Sequence, residues 1–345
     1  MIMHYRFSLA GLIGKAGLAV LLAASFGIAE SAAVEPSIDT LTLRLVKDYP
    51  LPGRARRWDY MSLDPTSGRL FIAHLGDSEI VVFDTKSKAV VGTIKGIGEV
   101  HGTLVIPELG RVYASATKTN EVVVIDLRTL KIVARIRSGV HPDGMAYAPD
   151  VRKLYVSDEH GKTETVIDVQ TNKPVATIPL GGSVGNTQYD PVTKRIFVNV
   201  QVTKELVEID PRSDTVVSRT KLDGADGNHG LLIAPDLRLA FIACEGNDKL
   251  LVMDMRTRKI LRQFELGHRP DVLAYDSRLA LLYVASESGV VSQFSVSANN
   301  ITKIGEGMVG QNAHTLAIDP ITHDAYFPIN VDGIQPVLRV MRPFP

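Results

Sequence analysis

One turn dipeptide recurs along this chain at a nearly constant interval, and that interval constrains the fold more than any other feature. Asp64-Pro65, Ile106-Pro107, Ala148-Pro149, Asp190-Pro191, Ala234-Pro235, a degenerate Asp276-Ser277 and Asp319-Pro320 follow one another in steps of 42, 42, 42, 44, 42 and 43 residues. A period of about 20–50 residues marks a stacked or circular repeat, in which each unit buries its apolar face only against its neighbours. A short β-branched or aromatic run follows each turn, as in Arg69-Leu70-Phe71-Ile72 and Lys153-Leu154-Tyr155-Val156. A second run ends in an aspartate at Asp84, Asp126, Asp168, Asp210 and Asp254, suited to the first position of a tight turn. A third run such as Lys131-Ile132-Val133-Ala134 completes the unit. Four short strands split by Asp, Gly and Pro turns make a propeller blade. The expected fold is therefore all-β, a seven-bladed β-propeller with four-stranded blades. No helical periodicity competes with it, and a parallel β/α fold would need helical crossovers.

The last repeat has no outer strand of its own after Val337-Leu338-Arg339-Val340, whereas Leu43-Arg44-Leu45-Val46 precedes the first complete repeat. The N-terminal segment is thus expected to complete the seventh blade and close the ring, leaving no open radial edge. Ahead of it, Arg6 and Lys15 supply a positive n-region before an apolar, small-residue run from Ala16 to Ala29, followed by Ser31-Ala32-Ala33. This pattern reads as a signal peptide over residues 1–33 with cleavage near Ala33, leaving 34–345 as the propeller domain. The apolar run is short for a bilayer span of about 20 residues, and no other segment could serve as one. The expected location is the periplasm or the medium, and the expected state a monomer.

Charge removes some function classes. The 38 basic and 38 acidic side chains balance, which argues against a nucleic-acid groove and a polybasic membrane patch. The single cysteine, Cys244, has no partner for a disulfide and sits in an apolar run, so it reads as a buried strand residue. No nucleophile elbow, phosphate-binding loop, dinucleotide fingerprint or Cys-x-x-Cys pair is present.

The Gly139 to Asp143 segment with Tyr155-Val156-Ser157 and Val166-Ile167-Asp168 resembles the YVTN-type repeats of YncE-like bacterial β-propeller proteins. Gly267 to Asp271 with Tyr283-Val284-Ala285 repeats the pattern, and the resemblance runs over almost the whole exported chain. It implies the propeller fold. For function it implies only a range, from scaffolds and ligand-binding or metal-handling periplasmic proteins to metal-dependent lyases and lactonases, and fold does not choose among them.

One position of the repeat departs from architecture. Six residues before each turn proline, or its equivalent, stand Asp59, His101, Asp143, Gly185, His229, Asp271 and His314. In a propeller this slot opens the innermost strand, so the seven surround the axis on one face. Eight of the nine histidines lie beyond the leader; chance would put roughly 0.2 of them in seven slots, against three found. Neutral imidazoles ligate divalent metals, and carboxylates complete the charge or hold the tautomers. His101, His229 and His314 are accordingly candidate ligands for a divalent metal ion, if they reach inward far enough to share one. Asp59, Asp143 and Asp271 are candidate ligand-binding residues, although Asp143 and Asp271 follow prolines and could instead satisfy turn N–H groups. The loop after the second strand opens on the same face and adds His74, Glu159, His160, Glu245, Glu287 and Asn330. Two readings remain open here. One is a periplasmic protein that binds a metal, a small ligand or a protein partner at the channel mouth. The other is a metal-dependent lyase or lactonase-type hydrolase with Glu245 or Glu287 as general acid or base.

Overall fold

The computed structural model describes residues 41–298, 300–331 and 335–344, and the signal peptide expected at residues 1–33 lies outside them. Among the described residues, 28 strands form seven four-stranded sheets, with three one-turn 3-10 helices and no α-helix. The protein is a seven-bladed β-propeller with antiparallel blades. Six sheets take their strands in chain order, and the first strand of each lies nearest the axis. These inner strands are Met61–Asp64, Val100–Ile106, Pro142–Ala148, Val184–Asp190, Asn228–Ala234, Pro270–Asp276 and Ala317–Ile318. Each packs on the next, and Ala317–Ile318 packs on Met61–Asp64.

Burial along each blade follows from this stacking. The second strand of the first blade, Arg69–His74, is buried on both faces apart from its first residue. Its outer strand, Ala89–Lys95, alternates between exposed positions and covered ones, of which Ile94 is buried. A strand covered by neighbouring blades on both sides reads as a continuous apolar run, and one with a wet face alternates.

One aromatic side chain per blade holds the wall together. Seven residues beyond each turn aspartate or its equivalent stand Phe71, Tyr113, Tyr155, Phe197, Phe241, Tyr283 and Tyr326, all under 2% exposed. Each belongs to a different apolar cluster, and each cluster spans one blade and the next. Fully burying such a side chain contributes about 1.5–3 kcal/mol, so every interface has its own anchor. The turn aspartates behave as their position requires: Asp84 accepts from the N–H groups of Lys86 and Ser87 at 2.8 Å, and Asp254 from those of Arg256 and Thr257 at 2.7 Å. Cys244 is buried.

The seventh sheet is drawn from both ends of the described chain. Leu43–Pro50 lies antiparallel on Gln335–Pro343, from Leu43 opposite Pro343 to Pro50 opposite Val337. Arg339 clamps Asp48 through two bonds of 2.9 and 2.7 Å.

Candidate functional site

The slot six residues before the turn is set by a local irregularity. In five inner strands the pairing slips beside it, between Val100 and Thr103, Pro142 and Met145, Val184 and Thr187, Asn228 and Gly230, and Pro270 and Leu273. An extra residue in one strand bends it and re-aims a side chain. In five blades the residue two positions earlier takes the left-handed conformation, at Glu99, His141, Gly227, Arg269 and Asn312. In two of them that residue's carbonyl accepts from an imidazole: His101 Nδ1 donates to Glu99 O at 3.0 Å, and His314 Nδ1 to Asn312 O at 2.9 Å. A fixed Nδ1–H leaves Nε2 as the basic nitrogen of the neutral ring. Gly185 interrupts the series because a Cβ there would come within 2.6 Å of His229 O and 2.7 Å of its Cα.

The slots open into a cavity of about 140 Å³ at one mouth of the channel. Six carboxylates line it, from Asp59, Asp143, Glu159, Glu245, Asp271 and Glu287, against Arg57, Arg269, His101 and His229. Tyr60 forms its floor and reaches across the axis from the first blade. Its hydroxyl lies 3.0 Å from Asn186 Oδ1, 3.2 Å from His229 Nε2 and 3.3 Å from Asp271 Oδ1. Below it a second space of about 200 Å³, also bounded by Tyr60, continues along the channel. His229 Nε2 sits between Asp143 at 3.6 Å and Asp271 at 3.8 Å. Arg57 bridges Glu287 at 2.8 Å and Asp59 at 3.5 Å.

A family profile, the cytochrome D1 heme domain, matches residues 67–315 of the chain. The chain belongs to the cytochrome D1 heme domain family. Among solved structures, hydrazine synthase of Kuenenia stuttgartiensis aligns with a TM-score of 0.70 at 16% identity, over 81% of this chain and 94% of that one. At that identity the likeness shows the fold alone. No curated protein sequence matches the chain. The cytochrome D1-type match takes in His101 through Asp271 and His314, whereas Asp59 and Tyr60 precede it.

In this cytochrome D1-family propeller the mouth distributes charge unevenly. Burial drives the Asp143 carboxyl up to about 7, with Asp59 and Glu159 adding to the effect while His101 and His229 oppose it. Burial opposes charging of His229, but Asp271 and Asp143 outweigh it and lift the imidazole to about 9. Gln201 Nε2 stands 2.9 Å from His229 Nδ1, so a charged ring requires the amide to turn its oxygen inward. His101 is raised as well, against burial, by Asp59 and Asp143. Burial raises Asp271, partly offset by His229 and His314. Glu287 is held low despite burial, by His314 and Arg57. Burial and the facing Asp271 and Asp143 push the Tyr60 hydroxyl well above its ordinary range, so it remains a donor.

The candidates from sequence fall into three groups. Asp59, His101, Asp143, His229, Asp271, Glu245 and Glu287 line the mouth together with Glu159. Neither Asp143 nor Asp271 caps a turn: Asp271 accepts from Tyr60, and Asp143 Oδ1 is buried without a partner. The three histidines of the series do not gather around one point. The ligand atoms of His314 group with Asp271 and Glu287 instead. His74 and His160 lie off the cavity wall. His74 is wholly buried and stacked on Trp58, with ring centroids 3.7 Å apart; His160 is exposed beside His141, 4.1 Å between centroids. Asn330 likewise serves Trp58, accepting from its indole N–H at 3.2 Å. Tyr60, Asn186 and Arg269 were missed. Tyr60 directly follows Asp59, and only its reach across the axis sets it apart from an ordinary strand residue.

Proposed function

We propose that the protein is an exported ligand-binding propeller whose channel mouth takes a small cation. One observation carries the reading: six carboxylates converge on a cavity of about 140 Å³ against two guanidinium groups and two imidazoles, with Asp143 Oδ1 buried and unpartnered. A buried carboxylate without a donor is a strong electrostatic sink for a positive group. Tyr60 closes the cavity below, so an occupant would be held at the mouth. Binding is preferred to turnover because both candidate acids are engaged, Glu287 with Arg57 at 2.8 Å and Glu245 with Arg269 at 3.3 Å. The leader at residues 1–33 and the YVTN-type repeats of YncE-like proteins belong to the same reading, which places the protein in the periplasm with a small ligand or a protein partner.

The family's name carries a heme. A macrocycle needs a slot of several hundred Å³ lined mainly by apolar side chains, with an axial ligand aimed at the iron. His101 and His229 are at the mouth, but the space is about 140 Å³ and its walls are almost wholly charged. The channel mouth does not fit a heme, and the reading carries none over from the family.

The test is calorimetric titration of the purified chain with calcium, manganese and methylammonium, beside phosphate and acetate as anions. An Asp143→Asn/Asp271→Asn variant should lose at least tenfold in affinity for the bound cation. Binding of the anions alone, or cation affinity unchanged in the variant, would overturn the proposal.

A further inference from the structure

We propose a second and separate site, a buried divalent-cation centre formed by His74, Asp77 and Glu79 beside the indole of Trp58. All three come from one connection in the first blade: His74 ends the strand Arg69–His74, Asp77 ends the single turn Leu75–Asp77, and Glu79 begins Glu79–Asp84. The imidazole is fixed on two sides. It lies on Trp58 with ring centroids 3.7 Å apart and 11° between planes, and its Nε2 donates to Arg54 O at 3.1 Å. With the proton held on Nε2, Nδ1 presents a lone pair.

That lone pair has no hydrogen-bond partner and no exposure. It faces two acceptors, Glu79 Oε1 at 3.7 Å and Asp77 Oδ2 at 3.9 Å. Protonating the ring would not satisfy it, because both oxygens lie beyond hydrogen-bond reach. Asp77 Oδ2 also accepts the Arg54 backbone N–H at 2.8 Å, but the buried His74 Nδ1 has no donor, and its lone pair and the two carboxylate oxygens repel one another unless a positive charge lies between them. They all lie within 4.8 Å of each other, and an ion equidistant from them would stand about 2.2–2.5 Å from each, so the three side chains would need to close by only a few tenths of an ångström to reach the bond lengths of a zinc ion. Backbone closes the site on one side: at Gly53, with φ +91°, a Cβ would come 2.9 Å from His74 Nδ1 and 2.8 Å from Asp77 Oδ2. Arg54 holds the other Asp77 oxygen at 2.7 Å, orienting the carboxylate as partners behind metal ligands do. One imidazole with two carboxylates favours a first-row transition ion such as zinc over calcium or magnesium.

The site differs in purpose from the mouth. Gly53 and Arg54 belong to the loop that carries Arg57, Trp58 and Asp59 to the channel, so an ion here would fasten that loop to the first blade and position two residues of the mouth from behind.

Trp58 is the chain's one tryptophan, and its stacking on His74 makes its emission a local reporter. Chelator-stripped protein would be titrated with zinc, followed by melting temperature, and with cobalt, followed by Trp58 emission. The expected result is one equivalent bound at this site when the titration is run in the Asp143→Asn/Asp271→Asn background, a higher melting temperature with zinc and strong quenching with cobalt. Glu79→Gln, which keeps the shape of the site and the Trp58 stack, should weaken binding at least tenfold and abolish the zinc-dependent stabilisation. Asp143→Asn/Asp271→Asn should leave the Trp58 response intact, which separates this site from the cation proposed at the mouth. Emission and melting temperature that ignore both ions, or a Glu79→Gln variant that responds like wild type, would show that the space holds at most water and would overturn the proposal.

Discussion

Two positions of the same repeat behave in opposite ways. Seven residues beyond the turn aspartate the chain is aromatic in every blade, and each ring is buried between its own blade and the next. Six residues before the turn proline it reads Asp59, His101, Asp143, Gly185, His229, Asp271 and His314. The wall faces the same problem seven times, filling the wedge between two twisted sheets, and solves it the same way. The mouth is different because its side chains converge on one axis, where seven identical groups would collide or repel. A single Tyr60 crosses the space and meets groups from three other blades at 3.0–3.3 Å. Periodicity in this chain therefore encodes architecture, and departures from it encode the site.

The comparison is broken most severely where the wall itself is not local in sequence. Deleting residues 42–50 would strip Gln335–Pro343 of its outer neighbour and leave Arg339 without Asp48. We expect the cooperative thermal transition, followed by circular dichroism, to be lost. An unchanged melt would mean that the composite sheet is dispensable. Next in size is truncation within the aromatic series. Phe241→Ala should destabilise by about 3–5 kcal/mol in denaturant unfolding, as large-to-small changes in a packed core do, and Phe71→Ala and Phe197→Ala should match it closely. Widely unequal costs would show that the blades are not equivalent.

The same contrast explains what was legible in the sequence. The fold was, because turn spacing and strand runs are local signals repeated seven times. The members of the series before the turn were found for the same reason. Tyr60 was not, since a tyrosine at the start of a strand is ordinary and its role depends on three residues 126 to 211 positions away. His74 was placed at the rim by its loop, yet the indole of Trp58 covers it and turns it into the wall. The shared ion for His101, His229 and His314 depended on reach across the axis, a distance that no local pattern carries.

The smallest expected effect concerns the pH response of the mouth. The Asp143 carboxyl lies at about 7 in the folded protein against an ordinary 3.8, and the His229 imidazole at about 9 against 6.5. Both are raised, so between the two values of each group the folded state holds more protons than the unfolded one. Stability is then fully present below the unfolded value and is lost as pH rises through the folded one. Asp143 should remove stability between about pH 4 and 7, and His229 between about pH 6.5 and 9. Asp143→Asn abolishes the first fall. It also takes away one of the two carboxylates that hold the His229 proton, at 3.6 Å, so the second fall should be smaller and should level off at lower pH. Melts of wild type and variant should nearly coincide at pH 4, with the variant ahead by roughly 1–3 kcal/mol at pH 7.5. A cation at the mouth should bind more tightly to wild type over the same rise, as Asp143 gives up its proton. Parallel stability curves would mean that Asp143 ionises as an ordinary surface carboxylate does, and the mouth would then differ from the wall in composition alone.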